Sequence, residues 1–129
     1  MITPFTDYVG INTDVLENKS TLQNHLGSIH AGVQFTFAEQ VSGVYLASLF
    51  PTIKAQVIPL LRESNMKYKK QALSALSAKA SVDERQLQRF QKSFDAKGRA
   101  SIVVEVELKD SEGDVTCVGS FKWFVQRKA

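Results

Sequence analysis

Between Gly32 and Leu49 the chain carries a helical run that is apolar around most of its circumference: Val33, Phe35, Phe37, Ala38, Val41, Val44, Tyr45 and Leu46 leave little room for a solvated face. A helix of this kind has to be covered on nearly all sides. The most apolar part, Val41 to Phe50, is too short to span a bilayer, and Pro51 closes it by disfavouring helical geometry just before it. The 129 residues read as one domain over 1–129, long enough for a single core.

The segments on either side read mainly as strands. Over residues 8–17, Val9, Ile11, Thr13 and Val15 alternate with more polar neighbours, which predicts a half-buried strand. Asn18-Lys19-Ser20 reads as a turn, and Thr21-Leu22-Gln23 as the start of a returning strand. Residues 55–80 hold two or more strands, with Met66 and Tyr68 opposite Lys67 and Lys69, although the Ala/Ser-rich stretch 71–80 also has helical propensity. Ser81-Val82-Asp83-Glu84 has the form of a capping box with Ser81 at the cap. A second helix follows, with Leu87, Phe90 and Phe94 on one face and Gly98 at its end. Ile102, Val104, Val106 and Leu108 alternate with Ser101, Glu105, Glu107 and Lys109 as a strand, residues 110–114 turn, and Val115 to Gln126 forms the last strand. Phe121, Trp123 and Phe124 suggest that both faces of that strand are covered. The sum is an α+β chain, mostly antiparallel.

One polar stripe interrupts the central helix. Thr36, Glu39, Gln40 and Gly43 fall on one face, with Glu39 in the middle. A carboxylate on a largely buried helix is costly unless paired or used. Just upstream, Asn24, His30 and Gly32 form a polar, glycine-containing helix entrance, and free N–H groups at a helix start suit a carbonyl or an oxyanion.

These residues carry a resemblance. His30-Ala31-Gly32, with Asn24 six residues before the His and Glu39 nine after it, resembles the active-site segment of hotdog-fold acyl-CoA thioesterases. It implies an antiparallel sheet wrapped around one long central helix. It also implies hydrolysis of a thioester to a carboxylic acid and coenzyme A, CoA entering as part of the substrate and no separate cofactor. On the matching positions, the Gly32 N–H would polarise the carbonyl and Glu39 would serve as general base or nucleophile. Asn24 would orient water or carbonyl, and His30 would shape the entrance. Ala31 stands where the family has the first glycine of a pair, and Gly43 where some relatives carry a hydroxyl. A non-catalytic acyl-CoA-binding module is the alternative; a dehydratase is disfavoured, since no Pro-Gly entrance is present.

Gly32 and Glu39 lie seven residues apart, about 10 Å along a helix at ~1.5 Å per residue. A base and an oxyanion donor must both come within about 3 Å of the reacting atoms or the attacking water. A second copy supplying its own Glu39 would close that gap, so a homodimer, or a dimer of dimers, is the expected partner. Basic residues at Lys67, Lys69 and Lys70, and at Lys97 and Arg99, are candidate contacts for coenzyme A phosphates. The net charge of +3 is interleaved with 13 acidic residues, so nucleic acid is not indicated. His25 and His30 are wrongly spaced for a metal pair and lack a third ligand, so no metal site is expected. Cys117 reads as a small core residue. No signal-like N-terminal segment is visible, which points to the cytoplasm.

Overall fold

The hairpin at residues 110–114 sets the frame. Asp110 Oδ1 accepts the N–H groups of Glu112 and Asp114, both at 3.0 Å, and Gly113 takes the positive φ of 85° that the turn needs. The strands it joins, β4 (Arg99–Lys109) and β5 (Val115–Arg127), pair antiparallel along their whole length. Inward residues alternate strictly: Ile102, Val104, Val106 and Leu108 on one strand, Phe121, Trp123 and Val125 on the other, all buried. In this computed structural model residues 3–12, 14–50 and 56–128 are described, so Thr13 and Pro51 lie outside the description.

The remaining elements are α1 (Pro4–Val9), β1 (Val15–Leu16), a 3₁₀ turn (Ser20–Leu22), α2 (Ala31–Ser48), β2 (Val57–Tyr68), β3 (Leu76–Ser81) and α3 (Glu84–Lys97). The described strands form one antiparallel sheet in the order β1-β3-β4-β5-β2. A bulge between Leu61 and Glu63 keeps both halves of β2 in phase with the pleat of β5. The α2 helix packs across the inner face, against β3, β4 and β5. This is the hotdog architecture, an α+β sheet wrapped on a central helix.

Where β3 stops at Ser81, the edge of β4 would be bare. Gln86 on α3 fills it: its Oε1 accepts the Val103 N–H at 2.7 Å and its Nε2 donates to the Val103 carbonyl at 3.1 Å, as a neighbouring strand would. The far end of α2 is held by aromatic rings. Phe50 stands 5.4 Å from both Phe90 and Phe94, whose own centroids are 6.0 Å apart. Fully burying each Phe of such a cluster is worth about 1.5–3 kcal/mol. No helix among the described residues is long and apolar enough to cross a membrane.

Three local expectations are corrected. The stretch 8–17 is not one strand: α1 covers its beginning, and only Val15–Leu16 pairs with β3. Thr3 caps α1 with a reciprocal bond to Thr6, Pro4 sits in its first turn and Gly10 ends it at φ 86°. Those local signals outweigh the apparent alternation. Thr21-Leu22-Gln23 begins no strand but finishes the 3₁₀ turn, with Gln23 in a lone bridge to Ile29. The α3 cap is Asp83, whose side chain accepts the Gln86 N–H, because Ser81 is still paired in β3. The last strand is covered on its inner face; outside, the Arg62 guanidinium lies 4.5 Å over the Phe124 ring.

Candidate active site

The start of α2 is built by side chains that cap it. His30 takes an extended backbone, its carbonyl accepts the Val33 and Gln34 N–H groups at 3.0 Å, and its Nδ1 accepts the Gly32 N–H at 2.8 Å. Accepting at Nδ1 requires the neutral imidazole with its proton on Nε2. A Cβ at position 32 would stand 3.1 Å from that Nδ1, so glycine is what lets the imidazole close over the helix end. The Gly32 N–H is therefore engaged, contrary to its expected role as carbonyl donor. The N–H of Ala31, the first helical residue, has no hydrogen-bond partner among the described residues.

Asn24 is likewise engaged. Its Oδ1 accepts the N–H groups of Leu26 and Ser28, and its Nδ2 donates to Ser28 Oγ at 2.8 Å, stapling the loop that leads into His30. In this arrangement Asn24 positions the entrance: its Oδ1 is engaged by two N–H groups, and one N–H of its Nδ2 remains without a partner among the described residues. Tyr68, at the end of β2, donates its hydroxyl to the Ala31 carbonyl at 3.0 Å and ties the sheet to the helix start. Together these residues border a groove of about 260 Å³, lined among others by Asn24, Ala31, Gln34, Tyr68, Lys69 and Lys70.

Glu39 opens elsewhere, into a groove of about 210 Å³ with Thr3, Gly43, Val44, Pro59 and Trp123. No described Lys, Arg or His lies within ion-pair distance of it, and burial alone pushes its carboxyl above the usual range. The wall beside it is fixed: Trp123 Nε1–H donates to the buried Ser42 Oγ at 3.0 Å, and that hydroxyl donates to the Glu39 carbonyl at 2.7 Å. Gly43 lies beside the indole, where a Cβ would stand 3.5 Å from the ring, an ordinary contact.

The basic candidates separate. Lys70 is held by Asp110 and Asp114 at 3.2 and 3.1 Å, so its charge is already matched. Lys67 pairs with Val118 on the outer face of the sheet, away from α2, because Tyr68 beside it faces inward. Lys69 lines the entrance groove without an ion pair among the described residues. Arg99 pairs with Gln126 while Tyr68 pairs with Cys117, which puts Lys97 and Arg99 about 30 Å away along β5, at ~3.4 Å per residue. They cannot share one phosphate group with Lys69. Cys117 is fully buried and its thiol is pushed up to about 11, which removes it as a nucleophile.

The comparisons agree with the fold. Residues 11–125 match the family described as "Domain of unknown function (DUF4442)". The chain belongs to this family. No curated protein matches it. Among solved structures, a Pseudomonas aeruginosa protein described as a probable thioesterase superposes with a TM-score of 0.77 at 20% identity, over 98% of this chain and 89% of that one. A Bacillus halodurans protein solved with CoA gives 0.74 at 22% identity, over 97% and 77%. A hypothetical thioesterase from Streptococcus pneumoniae, solved with coenzyme A, gives 0.63 at 24% identity, over 88% and 81%. These likenesses establish the fold as that of the thioesterase-like hotdog structures.

Sequence reasoning missed four participants: Ala31 as the open donor, Gln34 and Ser42 as buried polar residues of α2, and Tyr68 as the tie to the helix start. Gln34 and Ser42 carried a signal, as polar residues in an otherwise apolar stretch. Their partners, Ile29 and Trp123, could not be read from spacing.

Proposed function

We propose that this protein is an acyl-CoA thioesterase. The observation that carries the reading is Glu39: a half-buried carboxylate without a cationic partner among the described residues, in a mostly apolar groove on the helix whose N-terminus presents an open N–H. A desolvated carboxylate is a stronger base near neutral pH than a solvated one. It takes a proton from water as the oxygen attacks the thioester carbonyl. The Ala31 N–H, reinforced by the positive end of the α2 dipole, stabilises the developing oxyanion. The C–S bond then breaks, the proton passes to the sulfur, and a carboxylic acid and free coenzyme A leave. His30, Gly32 and Asn24 hold the donor in place. Lys69 is the cation placed for the CoA phosphates.

The two grooves share no lining residue, and Ala31 and Glu39 are eight residues apart on one helix, about 12 Å at ~1.5 Å per residue. One chain thus holds half of two sites. The edge of β2, which has a neighbour on one side only among the described strands, offers a second copy a place to pair. The reading is tested by thiol release from a panel of acyl-CoA esters. Wild-type protein should release thiol and Glu39→Gln should not. A folded wild type that binds acyl-CoA without releasing thiol would make the protein a binding module instead.

A further inference from the structure

One buried group on α2 has half of its hydrogen bonding left over. Gln34 is 4% exposed. Its Nε2 donates to the Ile29 carbonyl at 3.0 Å, which fixes the orientation of the amide. That leaves Oε1 as an acceptor to which no described residue donates. A buried carbonyl oxygen without a donor is costly, and native proteins keep few of them. Gln34 lines the entrance groove together with Ala31 at the helix start and Lys69 just after β2. The groove thus offers a cation, a neutral acceptor and a backbone donor, all otherwise uncommitted among the described residues.

We propose that Gln34 recognises the amide-bearing arm of a phosphopantetheine thioester, its Oε1 accepting an N–H of the arm. The three groups match that ligand's chemistry: an anionic phosphate for Lys69, an amide N–H for Gln34, and a thioester carbonyl for Ala31. An anion or a simple alkyl thioester brings no N–H and would leave Oε1 as it is. The inference rests on the thioesterase reading of the same site but adds to it what the site reads besides the thioester. Phosphopantetheine occurs both in coenzyme A and on carrier proteins, and the groove chemistry is common to the two.

The test deletes the hydrogen bond from either side. Thioesters of one acyl group are prepared on CoA, on an acyl carrier protein, on N-acetylcysteamine, on its N-methyl analogue lacking the N–H, and on ethanethiol. Gln34→Met should lower kcat/KM about tenfold, the scale of one lost hydrogen bond to a buried group, for the CoA, carrier-protein and N-acetylcysteamine thioesters. It should leave the ethanethiol thioester within about twofold. In wild type, N-methylation should cost a similar factor, and adding Gln34→Met to it should cost little more. That arm uses unmodified protein and holds even if the variant folds poorly. Equal losses on all substrates would make Gln34 merely structural and overturn the proposal, as would no effect of N-methylation on wild type. Whichever of CoA and carrier protein gives the higher kcat/KM identifies the source of the arm. If wild type hydrolyses none of these esters, the thioesterase reading fails by itself. Calorimetric titration with CoA then decides the proposal: a tenfold weaker affinity of Gln34→Met supports it and an unchanged one overturns it.

Discussion

Glu39 is the only carboxylate on α2, and its environment shifts it in one direction only, upward through burial. Two consequences belong to this side chain. Glu39→Gln keeps the shape of the groove, so turnover should fall by a factor on the order of 10² or more while the fold survives, as for loss of a general base; steady-state thiol release with a melting curve checks both. The stability effect has a definite sign. A carboxyl whose pKa is higher in the folded chain disfavours the ionised form there, so wild type gains stability as pH falls and Glu39 protonates. Glu39→Gln should therefore melt slightly higher than wild type at neutral pH, the effect being reduced by the remaining solvent exposure of the carboxyl. The difference should vanish at acidic pH, where the carboxyl is neutral in both states. A variant that melts lower at pH 7 would mean that Glu39 has a stabilising partner. His30 and Asn24 show how a motif can be legible while its roles are not. Their spacing marked the helix entrance correctly, but their hydrogen bonds run to Gly32 and to the loop at Leu26 and Ser28.

At the scale of elements, legibility followed the strength of the local pattern. The α2 helix was readable because nothing else explains an apolar run without period 2, and β4 because Ile102, Val104, Val106 and Leu108 recur at every second position, with Glu105 and Glu107 between the last three. The N-terminal helix was not, since Val9, Ile11 and Val15 imitate a strand while the deciding Thr3–Thr6 cap lies upstream of them. Ser81 and Asp83 both suit a helix cap, and only the pairing of Ser81 with Glu105 shows which one is used. The role of α3 as a substitute strand was invisible, because it depends on β3 being shorter than β4. It makes a sharp expectation. Gln86→Ala removes two hydrogen bonds from the β4 edge and should cost about 1–3 kcal/mol in urea unfolding, whereas the exposed neighbour Arg85→Ala should be close to neutral.

For the whole molecule, the placement of charge and of the two grooves matters most. Lys69 borders the helix entrance, while Arg99 sits at the opposite end of the sheet. Lys69→Glu should raise KM for acyl-CoA several-fold, with a steeper salt dependence and nearly unchanged kcat, and Arg99→Glu should do neither. The separation of Glu39 from the open Ala31 N–H has the larger consequence: on the proposed reading, a second copy completes the site. Ala31→Pro deletes that N–H at the one helical position where proline is well tolerated, and the extended backbone of His30 suits a following proline. Each single variant should be inactive as a homodimer. The decisive measurement is thiol release after Glu39→Gln and Ala31→Pro chains are unfolded together and refolded as a mixture. One intact site in each hybrid dimer should restore about a quarter of wild-type activity, given statistical pairing into two-fold dimers. A mixture of well-folded, dimeric chains that stays as inactive as its parents would place Glu39 and its oxyanion donor within a single chain and contradict the shared site.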